Sequence, residues 1–89
     1  QLDNLGREPS AWLPTLRISG MRDPVVQVID EFENEIIYTL RIKGQTFQPP
    51  VFSEGKYTIR VGELDTKRKE VLLGVRAIKT NDKFLIVDI

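Results

Sequence analysis

Residues 25–42 read VVQVIDEFENEIIYTLRI, and this stretch decides the fold of the chain. Two runs rich in β-branched residues flank a short polar break at residues 31–34. In the second run every second side chain is apolar, in the series Ile36, Tyr38, Leu40 and Ile42. A period of two with one mostly apolar face is typical of a half-buried β-strand. Asn34 tolerates the left-handed backbone of a tight turn, so the stretch predicts a β-hairpin.

Short runs of the same kind follow one another along the rest of the chain, and no segment has the period of an amphipathic helix. The predicted strands cover residues 15–19, 25–30, 35–42, 45–47, 56–61, 70–79 and 84–89. About seven evenly spaced strands with repeated turn signals predict an all-β fold, an immunoglobulin-like two-sheet β-sandwich. We expect residues 15–89 to form this domain and residues 1–14 to be a linker or lead-in without an element of its own.

Several local features refine this prediction. Tyr57 follows the turn at Gly55 and opens an alternating strand, which resembles the tyrosine corner of immunoglobulin-like domains. Its hydroxyl is therefore expected to bond backbone near Phe52 or Ser53. Gly74 indicates a bulge, and residues 80–83 (TNDK) predict a tight hairpin turn between the last two strands. The shared phase of the strands predicts a core of Ile36, Tyr38, Leu40, Ile42, Tyr57, Ile59, Val61, Leu73 and Phe84.

Composition excludes several kinds of chemistry. The 89-residue chain has no His and no Cys, so it cannot hold a Ser–His–Asp or Cys–His arrangement, a disulfide, or a His- or Cys-based metal site. The acidic series Asp30, Glu31, Glu33 and Glu35 misses the spacing of a calcium-binding loop, because Phe32 falls on a ligand position. We therefore expect no catalytic residue, no metal and no cofactor, and predict that this segment is not an enzyme.

Charge and hydropathy also restrict the partners. Thirteen Lys and Arg residues balance thirteen Asp and Glu residues, whereas a nucleic-acid binder usually carries a basic excess. The run Lys67-Arg68-Lys69 is expected to be a solvated loop. No apolar run approaches the roughly 20 residues that cross a bilayer. We expect neither a nucleic-acid partner nor membrane insertion.

Trp12 and Leu13 are the bulky apolar pair of the lead-in, between Pro9 and Pro14. A large aromatic side chain seldom stays fully exposed, which favours their covering one end of the core. The functional interpretation is a docking patch for a neighbouring domain. Both interpretations are compatible with a Trp12 ring that its own domain covers in part.

The quoted strands also carry a resemblance to a known family. The runs DNLGR (3–7), LPTL (13–16), GM (20–21), DPVVQVID (23–30) and EIIYTLRI (35–42) resemble the C-terminal β-sandwich region of bacterial alkaline phosphatase D-like metallophosphatases. Leu5 stands where an aromatic residue is expected, and Asn34 where a glycine is expected. The resemblance implies an accessory domain behind a metal-dependent phosphoesterase domain. The metal ligands of such an enzyme would precede Gln1, so no phosphatase residue carries over.

Three functions remain open at this point. The resemblance implies a non-catalytic tether or packing module of an exported hydrolase, located outside the cell or in the periplasm, whose partner is the upstream catalytic domain. In that case the chain is a segment of a longer protein. A carbohydrate-binding module is the alternative, with Trp12, Phe32 or Tyr38 as a ring that stacks on sugars. A protein-adhesion module that uses an exposed sheet edge is the third.

Overall fold

The computed structural model describes residues 9–89, and every regular element among them is a β-strand. The all-β prediction is confirmed. Residues 1–8, which include most of the predicted lead-in and the DNLGR run, lie outside the described residues. The strands are β1 (Ala11–Trp12), β2 (Thr15–Ser19), β3 (Val25–Asp30), β4 (Glu35–Arg41), β5 (Thr46–Phe47), β6 (Pro50–Val51), β7 (Gly55–Gly62), β8 (Lys69–Ala77) and β9 (Phe84–Asp88).

The strands form three sheets. A four-stranded antiparallel sheet has the order β4-β3-β7-β8, a three-stranded sheet has the order β5-β2-β9, and β1 pairs with β6. Within the three-stranded sheet β9 runs parallel to β2, whereas β5 runs antiparallel to it. The described part of the chain contains no helix that could cross a membrane.

The predicted hairpin is present as β3 and β4. Asn34 has a φ of 56° in the turn, in the left-handed region that its short polar side chain tolerates. The Asp30 carboxylate accepts hydrogen bonds from the backbone N–H groups of Phe32 and Glu33, at 2.9 and 3.3 Å. The side chain of Asp30 thus holds the turn that the sequence predicts.

The core lies between the larger sheets and draws on both. Leu16 and Ile18 of β2 are buried, as are Val26 and Val28 of β3. Four residues of the predicted core are confirmed as buried, namely Ile42, Tyr57, Ile59 and Val61. Tyr38 and Leu40 are partly buried and pack against this cluster.

Two residues of the predicted core, Ile36 and Leu73, are exposed, and bulges explain both errors. Ile36 is 56% exposed and Leu73 is 75% exposed. The pairing of β3 with β4 skips Ile37, so Ile36 is out of phase with Tyr38 and the residues after it. In β8 the pairing with β7 passes over Leu73 and Gly74, whose φ is 65°. The predicted bulge at Gly74 is therefore confirmed, and it turns Leu73 outward.

Phe84 is the third incorrect core assignment, and the predicted hairpin between the last two strands is also wrong. Phe84 is 53% exposed because β9 pairs with β2 in a register that sets Leu85 beside Leu16. Strand β9 does not pair with β8. The side chain of Asn81 donates to the carbonyl of Trp12 at 3.1 Å, and this bond fixes the connection as a crossing between sheets.

The end of the predicted lead-in is structured. Ala11 and Trp12 form β1, although residues 1–14 are expected to lack an element. A two-residue strand shows no period that a sequence pattern could reveal, and its partner Val51 lies far along the chain. The backbone hydrogen bond from Leu13 N–H to the carbonyl of Pro49, at 3.0 Å, continues this pairing.

Tyr57 makes the hydrogen bond that the tyrosine-corner pattern predicts. Its hydroxyl donates to the backbone carbonyl of Ser53 at 2.8 Å, and the residue is 2% exposed. A second tyrosine bond was not expected from the sequence: the hydroxyl of Tyr38 donates to the carbonyl of Pro50, also at 2.8 Å. Burial raises the pKa of the Tyr38 phenol, so this hydroxyl remains a donor throughout the ordinary pH range.

Replacing Tyr57 with phenylalanine should destabilise the domain, because the ring remains while the Ser53 carbonyl loses its donor. We expect a loss of about 1 kcal/mol in the free energy of unfolding, rising to about 3 kcal/mol if the carbonyl stays unpaired. Urea denaturation of Tyr57→Phe, compared with that of the unsubstituted chain, measures this loss. An unchanged midpoint would show that the hydroxyl does not contribute to stability.

Glu31 connects the hairpin to the bulge in β8. Its Oε2 atom accepts hydrogen bonds from the backbone N–H of Gly74 at 2.7 Å and from the hydroxyl of Thr58 at 2.8 Å. These two donors, the Gly74 N–H first, hold the pKa of the Glu31 carboxyl below its ordinary value of 4.5. The charged carboxylate is therefore the form that suits the fold.

This arrangement predicts a pH dependence of stability. The folded-state pKa of Glu31 is lowered, so its contribution is complete above the unfolded value of 4.5 and is lost as the pH falls through the folded value. Glu31→Gln should consequently lower the thermal midpoint at neutral pH. The difference in midpoint between this variant and the unsubstituted chain should shrink below pH 4.5. A difference that stays constant with pH would contradict this role. Thermal melts in a series of buffers provide the measurement.

Candidate docking surface

Large exposed apolar side chains concentrate on β8 and β9. Five of the seven found among the described residues lie on these strands or directly after β8: Val71, Leu73, Ile78, Phe84 and Ile86. The other two, Phe32 and Ile36, belong to the hairpin of β3 and β4. Single exposed apolar residues are normal on a protein surface, whereas a contiguous group of them indicates an interaction site.

A groove of about 420 Å³ lies between β8 and β9. We call it the β8–β9 groove. Its apolar lining residues are Pro14, Leu73, Val75, Ile78 and Leu85, and its polar lining residues are Arg76, Asn81 and Lys83. The lining contains two basic residues and no acidic one, so the groove is apolar in its floor and positive in charge.

The groove exists because β8 and β9 belong to different sheets. Strand β8 pairs with β7 alone and β9 pairs with β2 alone, which leaves their facing edges apart. Hydrogen bonds of Asn81 hold the connection between them. Its amide donates to the Trp12 carbonyl, and its Oδ1 accepts from the N–H of Lys83 at 3.1 Å. Gln48 in turn donates to the Asn81 carbonyl at 2.8 Å. These hydrogen bonds fix the backbone on one side of the groove.

The polypeptide enters the domain beside this groove. Trp12 and Ile78 exchange two backbone hydrogen bonds, of 2.8 and 3.1 Å, in an isolated antiparallel bridge. Ile78 lines the groove, as does Pro14, two residues after Trp12. Strand β1 therefore lies next to an exposed apolar surface.

The structure separates the two members of the predicted docking pair. The side chain of Trp12 is partly buried, which agrees with a ring that its own domain covers in part. Leu13 is completely buried and belongs to the core. Of this pair, Trp12 is the residue that a neighbouring domain could touch, while the predicted interdomain contact itself stays a prediction.

The acidic residues of the hairpin lie around a second groove, of about 560 Å³, which we call the tip groove. Phe32 is 90% exposed there. The residues that line it are Asp30, Glu31, Phe32, Glu33, Ser53, Glu54, Gly55, Lys56 and Tyr57. Among residues 9–89 no group of three acidic side chains is arranged to hold a metal ion. The carboxylates of Asp30 and Glu31 instead accept hydrogen bonds from the fold itself.

The basic run at residues 67–69 also makes bonds within the domain. The guanidinium of Arg68 donates to the carbonyl of Gly20 at 2.7 Å, and the Lys69 ammonium donates to the carbonyl of Thr66 at 2.8 Å. These bonds tie the loop between β7 and β8 to its surroundings. The run is exposed apart from Lys69, which is partly buried.

The β8–β9 groove was not predicted from the sequence. The run FLIVDI at residues 84–89 gave one signal, because it is apolar at almost every position. A strand that is apolar on both faces is expected in the middle of a buried sheet. In this fold the outer face of β9, with Phe84 and Ile86, is exposed, whereas Leu85 on the inner face is the β9 residue that lines the groove.

Comparison with protein-family models, with curated proteins and with solved structures finds no match to this chain. No relative therefore assigns a function to either groove.

Proposed function

We propose that this chain is a non-catalytic accessory domain that packs through the β8–β9 groove against a catalytic domain preceding it in a longer protein. One observation carries the proposal: the polypeptide enters at β1, where Trp12 is bridged to the groove residue Ile78. A preceding domain is held near the groove by the chain itself, which raises its effective concentration there.

The resemblance carried by the runs quoted within residues 3–42 supports the identity of the longer protein that we propose. On that basis the catalytic domain is a metal-dependent phosphoesterase, and the parent is an exported hydrolase found in the periplasm or outside the cell. The present domain supplies no catalytic residue and no metal ligand to that reaction. Its role is to tether and cover one surface of the enzyme.

The strand order supports an immunoglobulin-like topology for the domain. The sheet β4-β3-β7-β8 corresponds in order to the C′-C-F-G sheet of such sandwiches, and the antiparallel pair β5-β2 corresponds to E and B. Tyr57 then occupies the corner position at the start of strand F. Strand β9 lies at the edge beside β2, where strand A lies next to B, but it runs parallel to β2, whereas the sheets of such sandwiches are antiparallel.

The chemistry of the groove defines the surface that it fits. Leu73 is 75% exposed, and its complete burial would stabilise an interface by about 1.5–3 kcal/mol, while Ile78, at 38% exposed, would add a smaller amount. Arg76 and Lys83 add positive charge. The complementary surface therefore presents an apolar side chain among acidic residues.

The single tryptophan of the chain allows a direct test. The domain is labelled with 5-fluorotryptophan, and its ¹⁹F resonance is followed while the separately produced catalytic domain is added. We expect a saturable shift of the Trp12 resonance. Leu73→Asp should weaken the association by at least about tenfold, since it places a carboxylate in the apolar contact and against the acidic residues of the complementary surface.

A matched control is available on the opposite edge of the same sheet. Ile36 is exposed and apolar like Leu73 but belongs to β4. Ile36→Asp should leave the titration unchanged. A Trp12 resonance that does not shift, or an equal weakening by both variants, would refute docking through the groove.

Carbohydrate binding is the second candidate, and the exposure of Phe32 in the tip groove is the observation that favours it. A flat ring beside carboxylates is a feature that sugar-binding sites share. Of the other two candidate rings, Trp12 is partly buried and Tyr38 is bonded through its hydroxyl to Pro50. Titration with oligosaccharides, followed by ¹H–¹⁵N spectra, distinguishes the candidates. Saturable shifts around Phe32 that disappear in Phe32→Ala would favour sugar binding over docking.

A further inference from the structure

Strand β9 differs from the other edge strands of the two larger sheets. Natural edge strands avoid pairing with other chains through short length, bulges or charged and proline residues. Strand β5 has two residues, and β4 and β8 each carry a bulge. Strand β9 has five residues in a regular register with β2 and contains no Lys, Arg or Pro. Within residues 9–89 it is the edge of these two sheets that has neither very short length nor a bulge, and its one charged residue is Asp88 at its end.

The free hydrogen-bonding groups of β9 can be identified from its pairing with β2. Thr15 N–H donates to the Lys83 carbonyl and Ile89 N–H donates to the Ser19 carbonyl, both at 2.9 Å. Because peptide groups alternate in direction along a strand, the odd-numbered residues face β2. The N–H and C=O groups of Phe84, Ile86 and Asp88 consequently point away from the sheet.

We propose that β9 pairs antiparallel with β9 of a second copy of this chain, about a two-fold axis at Ile86. This register sets Ile86 opposite Ile86 of the second copy and Phe84 opposite Asp88 of the second copy. All three outward-facing residues then exchange both of their backbone hydrogen bonds. The two three-stranded sheets become one continuous sheet with a closed, isologous interface.

Charge selects this register over its neighbour. An axis at Leu85 would set Asp88 opposite Asp82 of the second copy, and like charges directly opposite each other are unfavourable. With the axis at Ile86, the ring of Phe84 faces Asp88 of the second copy. The guanidinium of Arg17 lies 4.1 Å from the centre of the Phe84 ring, so it comes beside that carboxylate.

Both charges are available for this contact. No ion pair joins Arg17 or Asp88 to another residue in the described part of the chain, where Arg41 and Glu63 form the ion pair present. The Asp88 carboxylate accepts one hydrogen bond, from the hydroxyl of Ser19 at 2.6 Å, and retains capacity for more. The two-fold axis makes this contact twice. The outer face of β9 is thus complementary to itself in charge as well as in hydrogen bonding.

Sedimentation equilibrium of the 89-residue chain tests the association. We expect a reversible monomer–dimer equilibrium as the concentration rises to the millimolar range. Ile86→Lys should weaken the dimer by at least about tenfold, because two ammonium groups would meet at the axis. Ile36 is also exposed and apolar, at 56% against 72% for Ile86, and it lies on β4 in the other large sheet, so Ile36→Lys is a matched control that should leave the equilibrium unchanged. Equal thermal midpoints in dilute solution verify that both variants fold.

Cysteine substitution tests the register, since the chain contains no Cys. Residues paired at the axis have Cα atoms about 5.5 Å apart, within reach of a disulfide. The Phe84 positions of the two copies would be roughly 13 Å apart, four residues along the pairing. After mild oxidation, Ile86→Cys should therefore run as a cross-linked dimer on a non-reducing gel. Phe84→Cys, treated in the same way, should run as a monomer.

Amide hydrogen exchange shows whether a second copy of the chain or the catalytic domain pairs with the free edge of β9. In a dimer the N–H groups of Phe84, Ile86 and Asp88 should become protected as the concentration rises. A chain that stays monomeric at all concentrations, or a dimer insensitive to Ile86→Lys, would overturn the proposal. Protection of these three amides only after addition of the catalytic domain would also overturn it and would assign the edge to that domain. Ile86→Lys acts on the association of the chain alone, whereas Leu73→Asp acts on the titration with the catalytic domain, so this test stays distinct from that of the β8–β9 groove.

Discussion

Replacing Ile59 with alanine is expected to lower the free energy of unfolding by about 2–5 kcal/mol. Ile59 is completely buried in β7, between Val28 of β3 and Leu72 of β8. Truncating its side chain removes apolar contacts and leaves a cavity that two flanking strands prevent from collapsing. A small domain has a total stability of about 5–15 kcal/mol, so this single change would remove a large part of it. Urea denaturation followed by Trp12 fluorescence provides the measurement.

Leu73→Ala is the control for this prediction. The alternating pattern of the sequence assigns Ile59 and Leu73 alike to the core, whereas Leu73 is 75% exposed. Its truncation should change the free energy of unfolding by no more than about 0.5 kcal/mol. Comparable losses from Ile59→Ala and Leu73→Ala would mean that the bulge in β8 does not turn Leu73 outward.

Replacing Gly62 with alanine is the second substitution for which we expect a large loss. Gly62 ends β7 with a φ of 127°, a backbone conformation that other residues rarely adopt. That conformation alone costs a non-glycine residue about 1–3 kcal/mol. A Cβ atom at this position would also overlap the carbonyl oxygen of Arg68 and lie 2.9 Å from the Cα of Lys69. Because both atoms are backbone, the pairing of β7 with β8 would have to shift.

Gly44→Ala separates the two contributions. Gly44 also has a positive φ, of 85°, but a Cβ atom there would meet nothing within 4 Å. Its substitution should show the conformational cost without the overlap, and thermal melts of the two variants should differ clearly. If Gly62→Ala were no more destabilising than Gly44→Ala, the close approach of Arg68 to Gly62 would not constrain the fold.

Local sequence patterns were sufficient to predict the hairpin and the tyrosine corner. The turn at Asn34 and the bond from Tyr57 to Ser53 each depend on residues within a few positions of one another. Such features follow from backbone preference and side-chain reach, which the sequence records directly. The bulge at Gly74 belongs to the same class, since a glycine within an alternating strand is its usual signal.

The errors arose where distant parts of the chain decide the structure. Strand β9 pairs with β2, about seventy residues earlier, and this register places Phe84 on the surface. Ile36 faces outward because the register of β3 and β4 shifts between Val28 and Ile29, and no residue type indicates the position of that shift. A shift of one residue moves a whole strand face, so an alternating pattern alone could not assign these side chains.

The candidate docking surface could be predicted only in part. Trp12 was identified because an aromatic residue stands out in a polar lead-in, and it lies beside the groove. The groove itself joins residues of β8, β9 and Pro14, and it depends on β8 and β9 belonging to different sheets. The segment between the two strands contains Asn81, which bonds to the Trp12 carbonyl, and its residue type equally suits the hairpin turn that we predicted.

Hydrogen exchange of the parent protein, compared with that of the present chain alone, tests docking through the β8–β9 groove most directly. Peptides that cover residues 73–85 should exchange more slowly when the catalytic domain is attached, while peptides around Phe32 should exchange at the same rate in both. Unchanged exchange at residues 73–85, or new protection confined to the tip groove, would contradict the proposed function.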